Sequence, residues 1–205
     1  MPKIRIVNPS HEYRKMFDEK GFTVLERYEK EEPDLICFTG GSDVSPYLYH
    51  EEKHPRSFCD DIRDKQEVFI FEEAKEKGIP MVGICRGGQF LNVMNGGKMY
   101  QHVSNHTVSH VICDVLSKSE IVATSTHHQM MRPEKDAIIV ATADQYGFKE
   151  YMDANGIVAH HGHEPDIEVL FYPATQSLCF QPHPEFGSAR LQEYFFTLIN
   201  RYINL

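Results

Sequence analysis

Short apolar runs alternate with amphipathic segments through the first hundred residues. Runs of a few apolar residues are too short for helices and predict buried strands, whereas apolar positions three and four apart predict helices. The predicted strands are 3–7, 22–25, 34–38 and 79–84, and the predicted helices are 10–20, 60–77 and 87–94. Strands and helices in this alternation form a parallel, doubly wound sheet with right-handed crossovers.

Beyond Gly97 the pattern changes to short runs that favour antiparallel strands and hairpins. These runs are 108–115, 121–123, 137–143, 147–151, 169–171 and 177–181. Apolar residues at helical spacing then predict a final helix over 188–203. The predicted fold class is α/β, a doubly wound, mostly parallel sheet flanked by helices with a small antiparallel extension, in a single domain over residues 1–205.

Composition narrows the classes of protein to consider. The chain has 205 residues, of which 41% are hydrophobic and 25% charged, as in ordinary soluble globular proteins. A formal net charge of -9 without a basic patch argues against a nucleic-acid partner. No apolar run approaches the ~18 residues of a membrane span, and the first residues lack a signal-peptide pattern. Five scattered cysteines without a CxxC pair suggest neither disulfides nor a cysteine zinc site, so we expect a reduced, cytoplasmic setting.

Cys85 stands between a predicted strand and a predicted helix, on a sharp turn. Such a turn lifts a side chain clear of the sheet and places it at a helix N-terminus, where unpaired amides and the macrodipole favour a thiolate. The alternative is an inert buried cysteine, the commoner state of this residue type. Gly83, Gly87 and Gly88 favour the nucleophile, because an inert core cysteine does not require small neighbours on both sides.

Two further segments carry groups that a cysteine nucleophile needs. A thiolate attacking an amide requires a histidine to carry the proton and a carboxylate to orient that histidine, and His183 and Glu185 follow a predicted strand in a proline-stiffened loop. Gly40 and Gly41 follow another strand, where backbone N–H groups could line an oxyanion hole, although a plain turn is the commoner use of two glycines. Active sites of parallel sheets lie beyond the carboxyl ends of strands, so we expect these segments to converge with Cys85.

The segment GICRGGQFLNVMNGG resembles the nucleophile motif of class I glutamine amidotransferase domains, and most closely their hydrolase branch that includes γ-glutamyl-γ-aminobutyrate hydrolases. The glycine loop at 40–47, the segment TSTHHQ at 124–129 and the HPE triplet at 183–185 are similar to motifs of the same family, in the same order. The resemblance implies a flavodoxin-like fold with a catalytic triad of Cys85, His183 and Glu185. It implies an oxyanion hole made by the N–H groups of Gly41 and Arg86. The substrate-binding residues that it implies are Gly40, Gln89, Ser125, His127, His128 and Gln129.

The activity implied is that of a cysteine-dependent amidohydrolase without a cofactor. It would cleave the γ-glutamyl amide C–N bond of glutamine or of a γ-glutamyl amine through a Cys85 thioester. One alternative keeps this chemistry in a glutaminase subunit that passes ammonia to a separate synthetase. Another is a redox-sensing cysteine protein on a related fold, in which Cys85 would oxidise readily.

Two groups of histidines are candidate metal ligands. His102, His106 and His110 would align on a helix, but the residues between them favour strands, which would scatter the three imidazoles. A second group at 160–164 is broken by a glycine. We therefore expect no metal site. We also expect Asp61, Arg63 and Asp64, which resemble an acidic-Arg-Asp pattern of the family, to lie on a solvated face of the helix over 60–77.

Overall fold

The amino-terminal half of the chain alternates strands with helices. The computed structural model describes residues 1–143, 148–161 and 166–205. The α-helices of the described residues are α1 (His11–Glu19), α2 (Asp61–Lys77), α3 (Arg86–Met94) and α4 (Ala189–Ile203), and two short 3₁₀ helices cover Pro46–Tyr49 and Pro184–Phe186. The strands are β1 (Lys3–Val7), β2 (Thr23–Leu25), β3 (Leu35–Phe38), β4 (Met81–Ile84), β5 (Lys98–Tyr100), β6 (His102–Val103), β7 (His110–Asp114), β8 (Glu120–Ala123), β9 (Met130–Arg132), β10 (Ile138–Ala143), β11 (Lys149–Met152), β12 (Val158–His161), β13 (Asp166–Tyr172) and β14 (Ser177–Phe180).

Within those described residues, nine strands form one sheet in the order β2-β1-β3-β4-β14-β13-β10-β7-β8. The pairs from β2 to β14 are parallel and the pairs from β14 to β8 are antiparallel, which confirms the predicted fold class. Phe38 pairs with Gly83, and Ile84 pairs with Phe180. The segments that follow β3, β4 and β14 therefore emerge side by side at one edge of the sheet.

Two small sheets accompany this large sheet. Strand β5 pairs with β9, and β11 pairs with both β6 and β12. The sequence pattern did not predict β5, β6, β9 or β12, which are short or lie in polar stretches. The described residues do not include Gly147 of the predicted strand over 147–151, nor His163 and Glu164 of the histidine group at 160–164.

The predicted ends of α2 are confirmed. The Asp60 side chain accepts hydrogen bonds from the N–H groups of Ile62 and Arg63, and so satisfies donors that the first turn leaves unpaired. Gly78 ends the helix in the left-handed conformation, with φ of 68°.

The core lies on both faces of the sheet. Helices α1 and α4 cover one face, where Phe17 and Phe195 are fully buried, and α2 and α3 cover the other, where Phe71 and Phe90 are fully buried. Each such side chain contributes roughly 1.5–3 kcal/mol through burial. In the part of the chain that the structure describes, no helix is both long and apolar enough to cross a membrane.

Candidate active site

Cys85 occupies a strained turn between β4 and α3. Its φ of 52° and ψ of -113° lie in a region that residues other than glycine rarely adopt. Its N–H donates to the carbonyl of Phe180 at 2.8 Å, which ties the turn to β14. The predicted strand-turn-helix geometry is confirmed, and the cysteine sits at the helix N-terminus.

The glycines around Cys85 are required by close backbone contacts. A Cβ atom on Gly83 would lie 2.3 Å from the backbone of Gly87, and a Cβ atom on Gly87 would lie 2.1 Å from the carbonyl oxygen of Phe38. A Cβ atom on Gly88 would lie 2.9 Å from the backbone nitrogen of Phe180. These separations are far below van der Waals contact, so α3 can approach the sheet this closely only with glycine at these positions.

His183 and Glu185 follow β14, the strand next to β4. The Nδ1 atom of His183 lies 2.6 Å from Glu185 Oε1, and the side chain of Cys85 lies close enough to the His183 ring to raise its pKa. Burial alone would lower the pKa of His183, but its contacts with Cys85 and Glu185 outweigh burial and raise the pKa to about 10. The structure thus brings together the three side chains of the predicted triad.

The loop after β3 lies against these residues. The Gly40 N–H donates to Tyr13 Oη at 3.1 Å, and a Cβ atom on Gly40 would lie 3.1 Å from Cε1 of His183. Gly41 has φ of 146°, and no described residue accepts a hydrogen bond from its N–H. Tyr13, which nothing in the sequence pattern marked, also lies close to Glu185, so its hydroxyl stands between this loop and the triad. Burial and the charge of Glu185 raise the pKa of Tyr13 well above its ordinary value, so its hydroxyl stays protonated.

A buried ionic cluster lies beneath the first turn of α3. The guanidinium of Arg86 pairs with both Asp64 and Glu67, and Arg63 Nε donates to Glu67 Oε1 at 2.7 Å. Burial, followed by the charge of Arg63, lowers the pKa of Arg86 to about 10 despite these carboxylates. We call these four residues the arginine cluster.

The expectation that Asp64 and Arg63 lie on a solvated face is therefore wrong. Asp64 and Glu67 are fully buried and continue the stripe of α2 that buries Phe71 and Ala74. Arg63 is mostly covered, and it donates to the carbonyls of Gly40 at 2.9 Å and Thr39 at 2.8 Å. The carboxylates tolerate burial because two guanidinium groups from the same helix and from α3 neutralise them.

The predicted substrate-binding side chains largely contact other parts of the protein. Gln89 Nε2 donates to the Gln129 carbonyl at 3.2 Å and to Gln181 Oε1 at 3.1 Å. Ser125 donates to the His106 carbonyl, and Gln129 Nε2 donates to Ser57 Oγ at 3.0 Å.

The two adjacent histidines of this segment differ in exposure. His127 is buried, whereas the side chain of His128 is about a third exposed. The Nε2 atom of His128 lies 3.1 Å from Asp43 Oδ1. The binding roles of Gln89, Ser125 and the segment 127–129 stay predictions.

The expectation that strands scatter the histidines is wrong for His106 and His110. His106 lies in the loop before β7 and His110 is the first residue of β7, and their ring centroids are 4.8 Å apart. The turn between them folds one ring back against the other, which a continuous strand would not allow. His127 and Glu168 complete a buried group that we call the histidine cluster. Glu168 was not predicted, although a carboxylate within the apolar strand β13 is a signal of a buried partner.

Comparisons with known proteins show the family of this chain. The profile of the peptidase C26 family matches residues 30–162, and the chain belongs to that family, among the class I glutamine amidotransferase-like proteins. The glutamine amidotransferase-like protein YvdE of Lactococcus lactis is 32% identical over 160 residues, which cover 74% of this chain. The chain spans 66% of the length of YvdE, just under two thirds.

Solved structures share the fold. A Thermoplasma acidophilum protein described as a subunit of GMP synthase superposes with a TM-score of 0.67 and 15% identity, covering all of this chain and 95% of its own. A glutamine amidotransferase of Thermotoga maritima superposes with a TM-score of 0.61 and 18% identity, covering 99% of this chain and 84% of its own. At these identities the likeness shows the fold alone.

Proposed function

We propose that this chain is a cysteine amidohydrolase that cleaves the γ-glutamyl amide C–N bond of glutamine or of a γ-glutamyl amine. The observation that carries the proposal is the line of contacts from Cys85 to His183 to Glu185 at the edge of the sheet. The membership of the peptidase C26 family supports it.

The first step is attack of the Cys85 sulfur on the amide carbon. His183 is suited to hold the thiol proton, because its contacts with Cys85 and Glu185 raise its pKa to about 10 and favour the imidazolium. Glu185 accepts from Nδ1 of the ring and so leaves Nε2 to face the sulfur and the leaving nitrogen.

The N–H groups of Gly41 and Arg86 would stabilise the oxyanion of the tetrahedral intermediate. Arg86 is the first residue of α3, so its amide is among those the helix leaves unpaired. Loss of one such donor typically costs roughly 3 kcal/mol of barrier. His183 then protonates the departing nitrogen, which leaves a thioester, and it activates a water that releases glutamate and restores the thiol.

The test is release of ammonia or amine from glutamine and from a panel of γ-glutamyl amines by the purified protein. We expect turnover that Cys85→Ala abolishes and that Cys113→Ala, a half-buried cysteine of β7, leaves unchanged. Turnover that survives Cys85→Ala would contradict the mechanism. Labelling of Cys85 by an electrophilic glutamine analogue, with protection by glutamine, would distinguish the hydrolase from a redox sensor.

A second arrangement of the same chemistry is a glutaminase subunit that passes ammonia to a synthetase. The fold likeness to a protein described as a subunit of GMP synthase supports it. This arrangement predicts glutamine-protected labelling of Cys85 with little turnover by the isolated chain. Failure of labelling together with failure of turnover would contradict both forms of the proposal.

A further inference from the structure

The histidine cluster shares no residue with the triad and brings four potential ligands together. His106, His110, His127 and Glu168 are all buried, and one ligand atom from each lies within 4.8 Å of every other. The residues come from the loop before β7, from β7, from the segment after β8 and from β13. Three imidazoles and a carboxylate from four separate segments are the donor set of a closed zinc site.

The carboxylate of Glu168 faces all three rings. Its Oε1 atom is 3.3 Å from His106 Nδ1, 3.1 Å from His110 Nε2 and 3.5 Å from His127 Nε2. Ligands bound tetrahedrally at about 2.0–2.1 Å are separated from one another by about 3.3 Å. The three separations from Glu168 therefore match three of the six edges of a zinc coordination tetrahedron, and all four ligand atoms lie within 4.8 Å of one another.

The opposite nitrogen of each ring is held by an oxygen that can only accept a hydrogen bond. His106 Nε2 donates to Asp166 Oδ2 at 2.7 Å. His110 Nδ1 donates to the Val108 carbonyl at 3.1 Å, and His127 Nδ1 donates to the Gln129 carbonyl at 2.9 Å. A neutral imidazole that donates on one side presents a lone pair on the other, so the neutral rings of His106 and His127 turn lone pairs toward Glu168. His110 Nε2, which lies 3.1 Å from Glu168 Oε1, does the same in the tautomer that carries its proton on Nδ1. Outer partners of this kind, carboxylates and carbonyls, orient histidines that bind metals.

With neutral rings, the ring nitrogens that carry lone pairs and the Glu168 carboxylate are hydrogen-bond acceptors that face one another. Within the described residues, His106 Nδ1, His127 Nε2 and Glu168 Oε2 make no hydrogen bond although each is buried. A buried polar atom without a partner is costly, and a cation at the centre would satisfy all of these atoms at once. Protonation of the rings is the other way to satisfy them, and every proton after the first would place like charges on rings whose centroids are 4.8 to 6.1 Å apart.

We propose that His106, His110, His127 and Glu168 bind a structural divalent cation, zinc by the chemistry of the donor set. All four positions of the tetrahedron are protein ligands, which is the form of a structural site. The site would tie the loop before β7 to β13 and to the segment 124–129. The His183 N–H donates to the Thr124 carbonyl at 3.0 Å, and the Gln181 N–H donates to the Glu168 carbonyl at 2.8 Å. The ion would therefore restrict the motion of the backbone that carries His183, the proposed catalytic base.

Metal content of the purified protein tests the proposal directly. We expect chelator-stripped protein to take up about one equivalent of zinc with a rise in melting temperature. His110→Gln and Glu168→Gln should each lose tight uptake. His102→Gln is the matched control, because His102 lies in the same stretch but outside the cluster, and it should bind as the wild type does.

Each result bears on the proposal. Folded wild-type protein that takes up no zinc would overturn it, and so would uptake that His110→Gln and Glu168→Gln leave intact, since the ion would then be bound elsewhere. If these variants do not fold, the wild type with Co²⁺ in place of zinc decides. The visible absorption of tetrahedral cobalt supports the site, and its absence contradicts it.

Discussion

The arginine cluster and the histidine cluster are both buried, but they differ in how charge is balanced. In the arginine cluster, Asp64 and Glu67 face the guanidinium groups of Arg63 and Arg86, so anions and cations are equal in number. In the histidine cluster, Glu168 faces three rings whose outer nitrogens already donate elsewhere. A cluster of the first kind is complete when the chain folds, whereas one of the second kind needs a proton or a metal ion from solution.

The largest effect is expected from removing a cation of the arginine cluster. Arg86→Met leaves buried carboxylates without a full complement of partners and should lower the free energy of unfolding by about 3–5 kcal/mol. Lys75→Met is the control, since the Lys75 side chain is half exposed and its Nζ atom lies 3.8 Å from Glu72 Oε2. This substitution should change the free energy of unfolding by less than about 0.5 kcal/mol. Urea denaturation measures both. Equal effects of the two substitutions would mean that the arginine cluster is not a stabilising unit.

The histidine cluster should respond to the solution instead. In zinc at a hundred times its dissociation constant, the wild type gains about 2.7 kcal/mol over the chelated protein. The difference in unfolding free energy between wild type and Glu168→Gln should therefore shrink on chelation, while the difference between wild type and Arg86→Met stays constant. Parallel urea titrations with zinc and with chelator check this. If chelation changed both differences in unfolding free energy equally, the two clusters would not differ in their dependence on zinc.

The arginine cluster also depends on how closely α3 approaches the sheet. In Gly87→Ala the new methyl group meets the Phe38 carbonyl, and the helix must move, at a cost of about 2–3 kcal/mol. Gly78→Ala is the matched control, because open space surrounds that position and only its positive φ is strained, at about 1 kcal/mol. Thermal unfolding of the two variants compares them, and a smaller loss for Gly87→Ala would contradict the close contact.

The smallest expected change is in the pKa of His183, which belongs to neither cluster. The wild-type His183 ring should stay protonated as pH rises beyond 6.5 and lose its proton near its pKa of about 10. In Cys85→Ala a contact that raises this pKa is gone while burial still lowers it, so the pKa should fall. NMR titration of the ring measures it, with Cys113→Ala as the control. An unchanged pKa in Cys85→Ala would show that the sulfur does not contact the imidazole.

Local features of this chain were predictable from the sequence where one segment determined them. The strand before Cys85, the glycines beside it and the capped ends of α2 each follow from residues a few positions apart. The same holds for the order of strands and helices in the first half, because alternation restricts the topology.

Features that depend on distant residues were not predictable in this way. The polar face of α2 looked solvated because its counter-ion, Arg86, comes from another helix. Likewise His106 and His110 looked scattered because a loop, and not a continuous strand, separates them. Tyr13 contributes to the candidate site only through the fold, from a helix with no motif of its own.

The pairing of β4 with β14 has a consequence for the timescale on which the candidate site can come apart. The Cys85 N–H, bonded to the Phe180 carbonyl, lies at the centre of the sheet, where amide protons exchange with solvent only when the whole structure opens. The backbones of Cys85 and Phe180 should therefore separate no faster than the protein unfolds. Loops around the site can rearrange many times in the interval between two such separations.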